Sequence, residues 1–304
     1  MLDFKKIELS DRQWMQPLIE AADLDVCTCC FATMYIWKDI YYTRVARVND
    51  YAVIKTGVEN DRIYYSFPIG HGDVKPVLEA MMEDARENGS NFVLAGVLPQ
   101  QQEVLENLWP GRFRFVEVRD DWDYIYSLEK LITLSGKKLH GKRNHIARFK
   151  EANDWSYEEM TPDNMSECWE MSLQWCAVNG CGGDPSLEKE ACAVRSAFEN
   201  FEALHLEGGV LRKGGRVVAF TIGEPLNSNT FVTHIEKAFG DIQGAYPMIN
   251  QQFAIQIKEK HPEMMFVNRE EDTGAEGLRR AKLSYGPEKM AQRNLARWMP
   301  DKTV

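Results

Sequence analysis

One run of secondary-structure signals occurs twice in this chain, in the same order, and that repetition limits the fold more than composition does. In the first half, strand-like runs at 42–48, 51–58 and 62–67 are separated by the turn formers Asn49-Asp50 and Asn60-Asp61. That spacing predicts an antiparallel meander. Residues 74–88 follow, with Val77, Leu78, Met81, Met82 and Ala85 on one helical stripe. A strand at 92–97, a short helix at 100–108 and a strand at 112–118 close the half. The second half offers strands at 206–212, 216–223 and 230–235, with Lys213-Gly214-Gly215 as a hairpin turn. A helix at 244–260 carries Ala245, Ile249, Phe253 and Ile257 at spacing four. A strand at 264–267, a helix at 274–282 and a final run through 290–298 complete it. Two unrelated domains seldom keep so many elements in the same order. The chain therefore reads as two α/β (α+β) domains in tandem, and 304 residues suit two cores better than one. The expected bounds are 1–133 for the first domain, 134–150 for a basic linker helix and 151–304 for the second.

A formal net charge of −10 argues against a protein that coats nucleic acid. The charge is uneven, however. The block Lys137, Lys138, Lys142, Arg143, Arg148 and Lys150 contains no acid, although Asp120, Asp121, Asp123 and Glu129 precede it and Glu151 and Asp154 follow. Such a block is a solvated linker or a contact for phosphates. The opening residues show no apolar leader, and no stretch approaches the roughly 20 apolar residues of a spanning helix. A cytoplasmic location without a transmembrane segment is expected. The seven cysteines are an odd number, which reads as reduced thiols. Cys27-Thr28-Cys29-Cys30 contains a CxxC, but no second Cys/His pair of suitable spacing follows, so small buried side chains in a helix are expected rather than a metal site.

Antiparallel strands, a helix, a strand, a helix and a strand is an order similar to that of the GNAT acyltransferase fold. In that fold the strands flanking the central helix splay apart, and each half here is expected to open such a splay. The segments Leu134-Ser135-Gly136-Lys137-Lys138-Leu139-His140-Gly141-Lys142-Arg143-Asn144-His145 and 268–285 (NREEDTGAEGLRRAKLSY) sharpen the comparison. They resemble a family of tandem-GNAT proteins related to the C-terminal domain of phosphatidylglycerol lysyltransferase, with Fem-type peptidyltransferases as more distant cousins. The resemblance implies two tandem GNAT-like domains with mixed, mainly antiparallel sheets flanked by helices. It also implies acyl or aminoacyl transfer onto an amine or hydroxyl acceptor. Coenzyme A or aminoacyl-tRNA would serve as donor substrate, no cofactor would be permanently bound, and tRNA and a peripheral lipid surface are candidate partners. The alternative is a non-catalytic tandem-GNAT module that binds a phosphorylated or aminoacylated ligand.

Candidate site residues concentrate in the second half. His234 and Glu236 alternate along one strand and so share a face. Transfer to an amine needs a base, which Glu236 would supply; a Glu236–Lys237 surface pair and a satisfied core histidine are the plainer readings. In the segment after Asn268, Asp272 or Glu271 would hold an α-amino group, and Arg269, Arg279 or Lys282 a carboxylate or phosphate. Tyr285 stands in a place comparable to the tyrosine that protonates the leaving thiolate in many GNAT enzymes; closing a helix is its plain alternative. Gln243-Gly244-Ala245 is the candidate donor loop at a helix start, although it lacks the basic residue of the GNAT pyrophosphate loop. Lys137, Lys138, Lys142 and Arg143 are the candidate phosphate contacts. The first domain, whose counterpart segment Leu98-Pro99-Gln100-Gln101-Gln102-Glu103 lacks that density of charge, reads as the degenerate copy.

Overall fold

The computed structural model describes residues 2–58 and 62–299; the expected Asn60-Asp61 turn lies outside them. Its contacts divide the chain into two interleaved units. One is Met1–Asp123 with Glu271–Gly274 and Met290–Val304; the other is Tyr124–Glu270 with Ala275–Lys289. These bounds differ from the expected 1–133 and 151–304. The reason lies in strand exchange. Asn294–Trp298 completes the sheet of the first unit, between Val93–Val97 and Phe113–Glu117. Asp123–Ser127, in turn, pairs with Phe266–Asn268 of the second.

In the first unit, strands Arg44–Val48, Tyr51–Val58 and Arg62–Ser66 form the expected meander. Asn49, at φ 53°, takes the left-handed turn position that Asn tolerates. The helix Lys75–Glu87 begins with Pro in its first turn, where no intrahelical N–H is lost. It buries Val77, Leu78, Met81 and Ala85 against Tyr65, Phe92 and Leu94.

In the second unit, strands Glu207–Lys213, Arg216–Pro225 and Thr230–Ala238 make the second meander. Gly214 and Gly215, at φ 55° and 77°, supply the two left-handed positions of its tight hairpin. The helix Ala245–Lys260 buries Ala245, Met248, Ile249, Phe253 and Ile257. The basic block is no linker: the helix His140–Ala152 belongs to this unit and packs on Ala245–Lys260. Cys176 and Cys181, expected as thiols, are joined in a disulfide across the Gly180 turn that ends the helix Pro162–Asn179. Cys27–Cys29 form a 3-10 turn rather than part of an α-helix.

The two units differ at the predicted splay. In the second, Thr230–Ala238 pairs in parallel with Phe266–Asn268 only through Thr230, Phe231 and Val232. The remainder of the longer strand, with His234 and Glu236, continues past the end of its partner. In the first, the corresponding pairing comes at the very end of its strand, through Tyr65 and Ser66. There it is the partner strand Val93–Val97 that runs on, with Val97 paired to Asn294, so the two units differ in which strand outlasts the pairing.

Candidate active site

Five other segments of the second unit bring polar side chains to the diverging strand. Glu236 lies on it and accepts from Arg269 Nη2 at 2.8 Å and from Asn250 Nδ2 at 3.1 Å. Arg269 follows the strand Phe266–Asn268 at once, and Asn250 stands in the second turn of the helix Ala245–Lys260. The Arg269 guanidinium lies 4.9 Å from the ring centroid of Tyr285 and 5.6 Å from that of Tyr126. Lys142, from the helix His140–Ala152, places its amine 4.2 Å over the same Tyr285 ring. The Glu236 and Arg269 side chains are 10% and 12% exposed, so the pair is largely withdrawn from water yet open at one edge.

The electrostatics follow from burial. Desolvation pushes the Tyr285 phenol well above its ordinary value, with Arg269 opposing, and does the same for Tyr126. Both phenols therefore keep their protons at neutral pH. Burial is the largest influence on Arg269 and opposes its charge, but Glu236, Tyr126 and Tyr285 together outweigh it and hold the guanidinium above its ordinary value. The Lys142 amine is pushed below its ordinary value by burial first and by Arg269 next, with Glu236 opposing. The sign of the consequence is definite. Between its depressed folded value and the usual 10.5, the unfolded chain binds more protons at this lysine, so its charge penalty falls as pH rises. Lys142→Met is therefore expected to raise the urea midpoint relative to the parent more at about pH 7 than at about pH 10. A stability difference that does not change with pH would remove Lys142 from the buried cluster.

Other expected site residues are employed differently. His234, 1% exposed, sits between two carboxylates: Nδ1 is 2.9 Å from Glu270 Oε1 and Nε2 is 3.2 Å from Glu224 Oε1. Lys282 donates to the carbonyl oxygens of Arg269 and Glu270 at 2.6 and 3.2 Å, which holds the Arg269 loop in place. Glu270 keeps φ 56° in that loop, a strained position for a side chain of its length. Glu236 forms no surface pair with Lys237, which points to the opposite face and binds Glu190 at 2.9 Å over the Trp175 ring. Arg279 is half-buried on the helix Glu276–Leu283.

Asp272 and Glu271 belong to the first unit. Asp272, fully buried, accepts from the Gly274 amide at 2.9 Å and faces Arg119 at 3.6 Å. Its carboxylate is thus engaged by its own turn, where an α-amino group of the substrate was the expected partner. Glu271 binds Arg293 at 2.8 Å. Cys27, Asp123 and Glu271 bring three potential metal-ligating atoms within 4.8 Å of one another. The Arg293 guanidinium, 3.0 Å from Asp123, already supplies the positive charge those carboxylates require.

The candidate donor loop is filled by protein. Gly244 caps the helix at φ 89°, and a Cβ there would stand 2.5 Å from the His145 carbonyl oxygen and 2.9 Å from Phe149 Cβ. Gln243 Nε2 lies 3.4 Å from His145 Nδ1, and Ala245 is buried. Close helix–helix packing explains this glycine without a phosphate. Arg143 is likewise committed, donating to the carbonyl oxygens of Leu134 and Gly136 at the end of the preceding helix. Lys137 and Lys138 remain exposed ahead of the helix His140–Ala152. Sequence reasoning missed Tyr126 and Asn250. Asn250 carried a faint signal, as a polar residue beside Ile249 in an otherwise apolar stripe.

Comparison with known proteins agrees with this architecture. The family described as phosphatidylglycerol lysyltransferase, C-terminal, matches residues 23–297. A conserved protein of unknown function from Bacteroides thetaiotaomicron is 41% identical, with a TM-score of 0.93 over 98% of this chain and 100% of that one. L-PGS from Bacillus licheniformis shares the fold at 14% identity, with a TM-score of 0.64 over 96% of this chain and 93% of that one. An uncharacterized protein of Mycoplasmoides gallisepticum is 23% identical over 179 residues, 58% of this chain and 56% of that protein. The chain thus spans little more than half the length of that curated relative.

Proposed function

This chain belongs to the phosphatidylglycerol lysyltransferase C-terminal family, and we propose that it moves an aminoacyl group from aminoacyl-tRNA to an amine or hydroxyl acceptor at the Glu236–Arg269 cluster. The observation that carries the reading is the meeting of a carboxylate, a guanidinium, an ammonium and a protonated phenol beside diverging strands. A carboxylate offers about four lone-pair sites, and Glu236 uses two of them here. It can take the acceptor's proton as the acceptor nitrogen or oxygen bonds to the ester carbonyl carbon. Arg269 and Lys142 balance the charge that gathers on the carbonyl oxygen. As the bond to the ribose oxygen breaks, Tyr285 delivers its proton to that oxygen, and the proton held on Glu236 restores the phenol.

Two features favour tRNA over coenzyme A as the donor. Protein fills the helix start where a pyrophosphate would bind. Lys137 and Lys138 lie at a helix N-terminus, where like-signed charge costs stability and a polyanion would offset it. A lipid headgroup hydroxyl is one acceptor of the required class, and no helix among the described residues is long and apolar enough to cross a membrane.

The test mixes the purified protein with tRNA charged with each amino acid, and in parallel with acetyl-coenzyme A, over amine and hydroxyl acceptors. Ester loss above spontaneous hydrolysis, matched by acceptor modification, is the expected result. Binding without turnover would leave a binding module. Lys137→Glu with Lys138→Glu should also weaken binding of the tRNA acceptor end and lower its salt slope by about 0.7 per lost phosphate contact. An unchanged slope would remove these lysines from the donor surface.

A further inference from the structure

The first unit holds a cavity of about 470 Å³ lined in part by Leu2, Phe4, Arg44, Lys55, Ile63 and Asp84. That volume falls within the range of small-molecule sites, roughly 300–1,000 Å³. Three observations define what it suits. Asp84 is 1% exposed. Its Oδ2 accepts from the Tyr65 hydroxyl at 2.6 Å and from the Lys55 amine at 2.8 Å, while Oδ1 has no hydrogen-bond partner among the described residues. Buried carboxylate oxygens are rarely left so, because an unmade bond costs more than a made one returns. Arg44 and Lys55 are directly opposed across the antiparallel pair; Asp84 balances Lys55, so the exposed Arg44 guanidinium is the cation this wall offers to an incoming carboxylate. Asp3 also lines the space. The wall thus carries two acids and two bases, which suits a ligand that is itself neutral overall and dipolar.

We propose that this cavity is a binding site for a free α-amino acid with an apolar side chain. The ligand carboxylate would lie between Arg44 and Lys55, its ammonium would donate to Asp84 after a small side-chain shift of the ordinary kind, and its side chain would cover Leu2, Phe4 and Ile63. The Lys55 amine already lies 4.3 Å over the Phe4 ring, so that aromatic face borders the charged end of the site. Binding here requires no transfer reaction and does not depend on the Glu236 cluster.

Calorimetric titration of the full chain with L-phenylalanine, 3-phenylpropanoate and phenethylamine separates the contributions. L-phenylalanine should bind, and each analogue, lacking one charge, should bind at least about tenfold more weakly. Arg44→Ala, at an exposed position, should weaken L-phenylalanine about tenfold without lowering the melting temperature. Asp84→Asn should abolish the preference over 3-phenylpropanoate. No binding of L-phenylalanine or L-leucine up to concentrations on the order of 10 mM would overturn the proposal. So would equal affinity for 3-phenylpropanoate, or an Arg44→Ala protein that binds as the parent does.

Discussion

A Glu236→Gln protein is expected to transfer aminoacyl groups ~10²–10⁴-fold more slowly than the parent, the range that a positioned general base contributes. Glutamine keeps the shape and can still meet Asn250, but it has no charge for the acceptor's proton and none for Arg269. A largely buried guanidinium then loses its counter-charge, so the urea midpoint should fall as well. Single-turnover rates are therefore read well below the unfolding transition, on protein with the parent's circular dichroism. If such folded protein keeps a rate within about threefold of the parent, Glu236 is not the base. Tyr285→Phe separates the roles: loss of the proton donor should slow reaction of the aminoacyl ester while leaving tRNA binding intact.

The largest loss of stability is expected at Arg293. Its guanidinium, 5% exposed, binds Asp123 at 3.0 Å, Glu271 at 2.8 Å and Thr28 Oγ1 at 3.3 Å, and donates to the Asp121 carbonyl oxygen. Asp123 is wholly buried and also accepts from the Cys27 amide. Removing the cation leaves the wholly buried Asp123 without its counter-charge, which costs about 3–5 kcal/mol for a buried pair. Glu271, 27% exposed, keeps part of its water. Arg293→Met keeps most of the volume and isolates the charge. Urea denaturation followed by the first unit's fluorescence should show that loss; a change below about 1 kcal/mol would mean that water reaches Asp123 as well.

The expected turns and helices formed where local chemistry was sufficient. Asn49 and Gly214-Gly215 occupy left-handed turn positions because their side chains permit it, and the stripe Val77, Leu78, Met81 and Ala85 faces its sheet as a period near 3.6 requires. Glu236 was legible because it shares a strand face with His234, and Arg269 and Tyr285 through the resemblance carried by 268–285. Lys142 was read as a phosphate contact and instead lies over the Tyr285 ring. Asp272 was misread for an instructive reason. A carboxylate two residues before a glycine can bind a ligand or fold back on its own loop, and the accepted Gly274 amide shows the second. Gly244 was misread in the same way, since phosphate approach and helix approach both demand the absence of a Cβ.

Periodicity and turn chemistry in the sequence by themselves determined a tandem of two mixed α/β units, since both act within a few residues. Only the tertiary structure decided which strand completes which sheet, that the basic helix packs on Ala245–Lys260, and that Cys176 meets Cys181. It also decided that Tyr126 and Asn250 join Glu236 and Arg269. Strand exchange and a buried polar cluster join residues more than a hundred positions apart. Their energies come from pairing and desolvation across that distance, which no local pattern encodes.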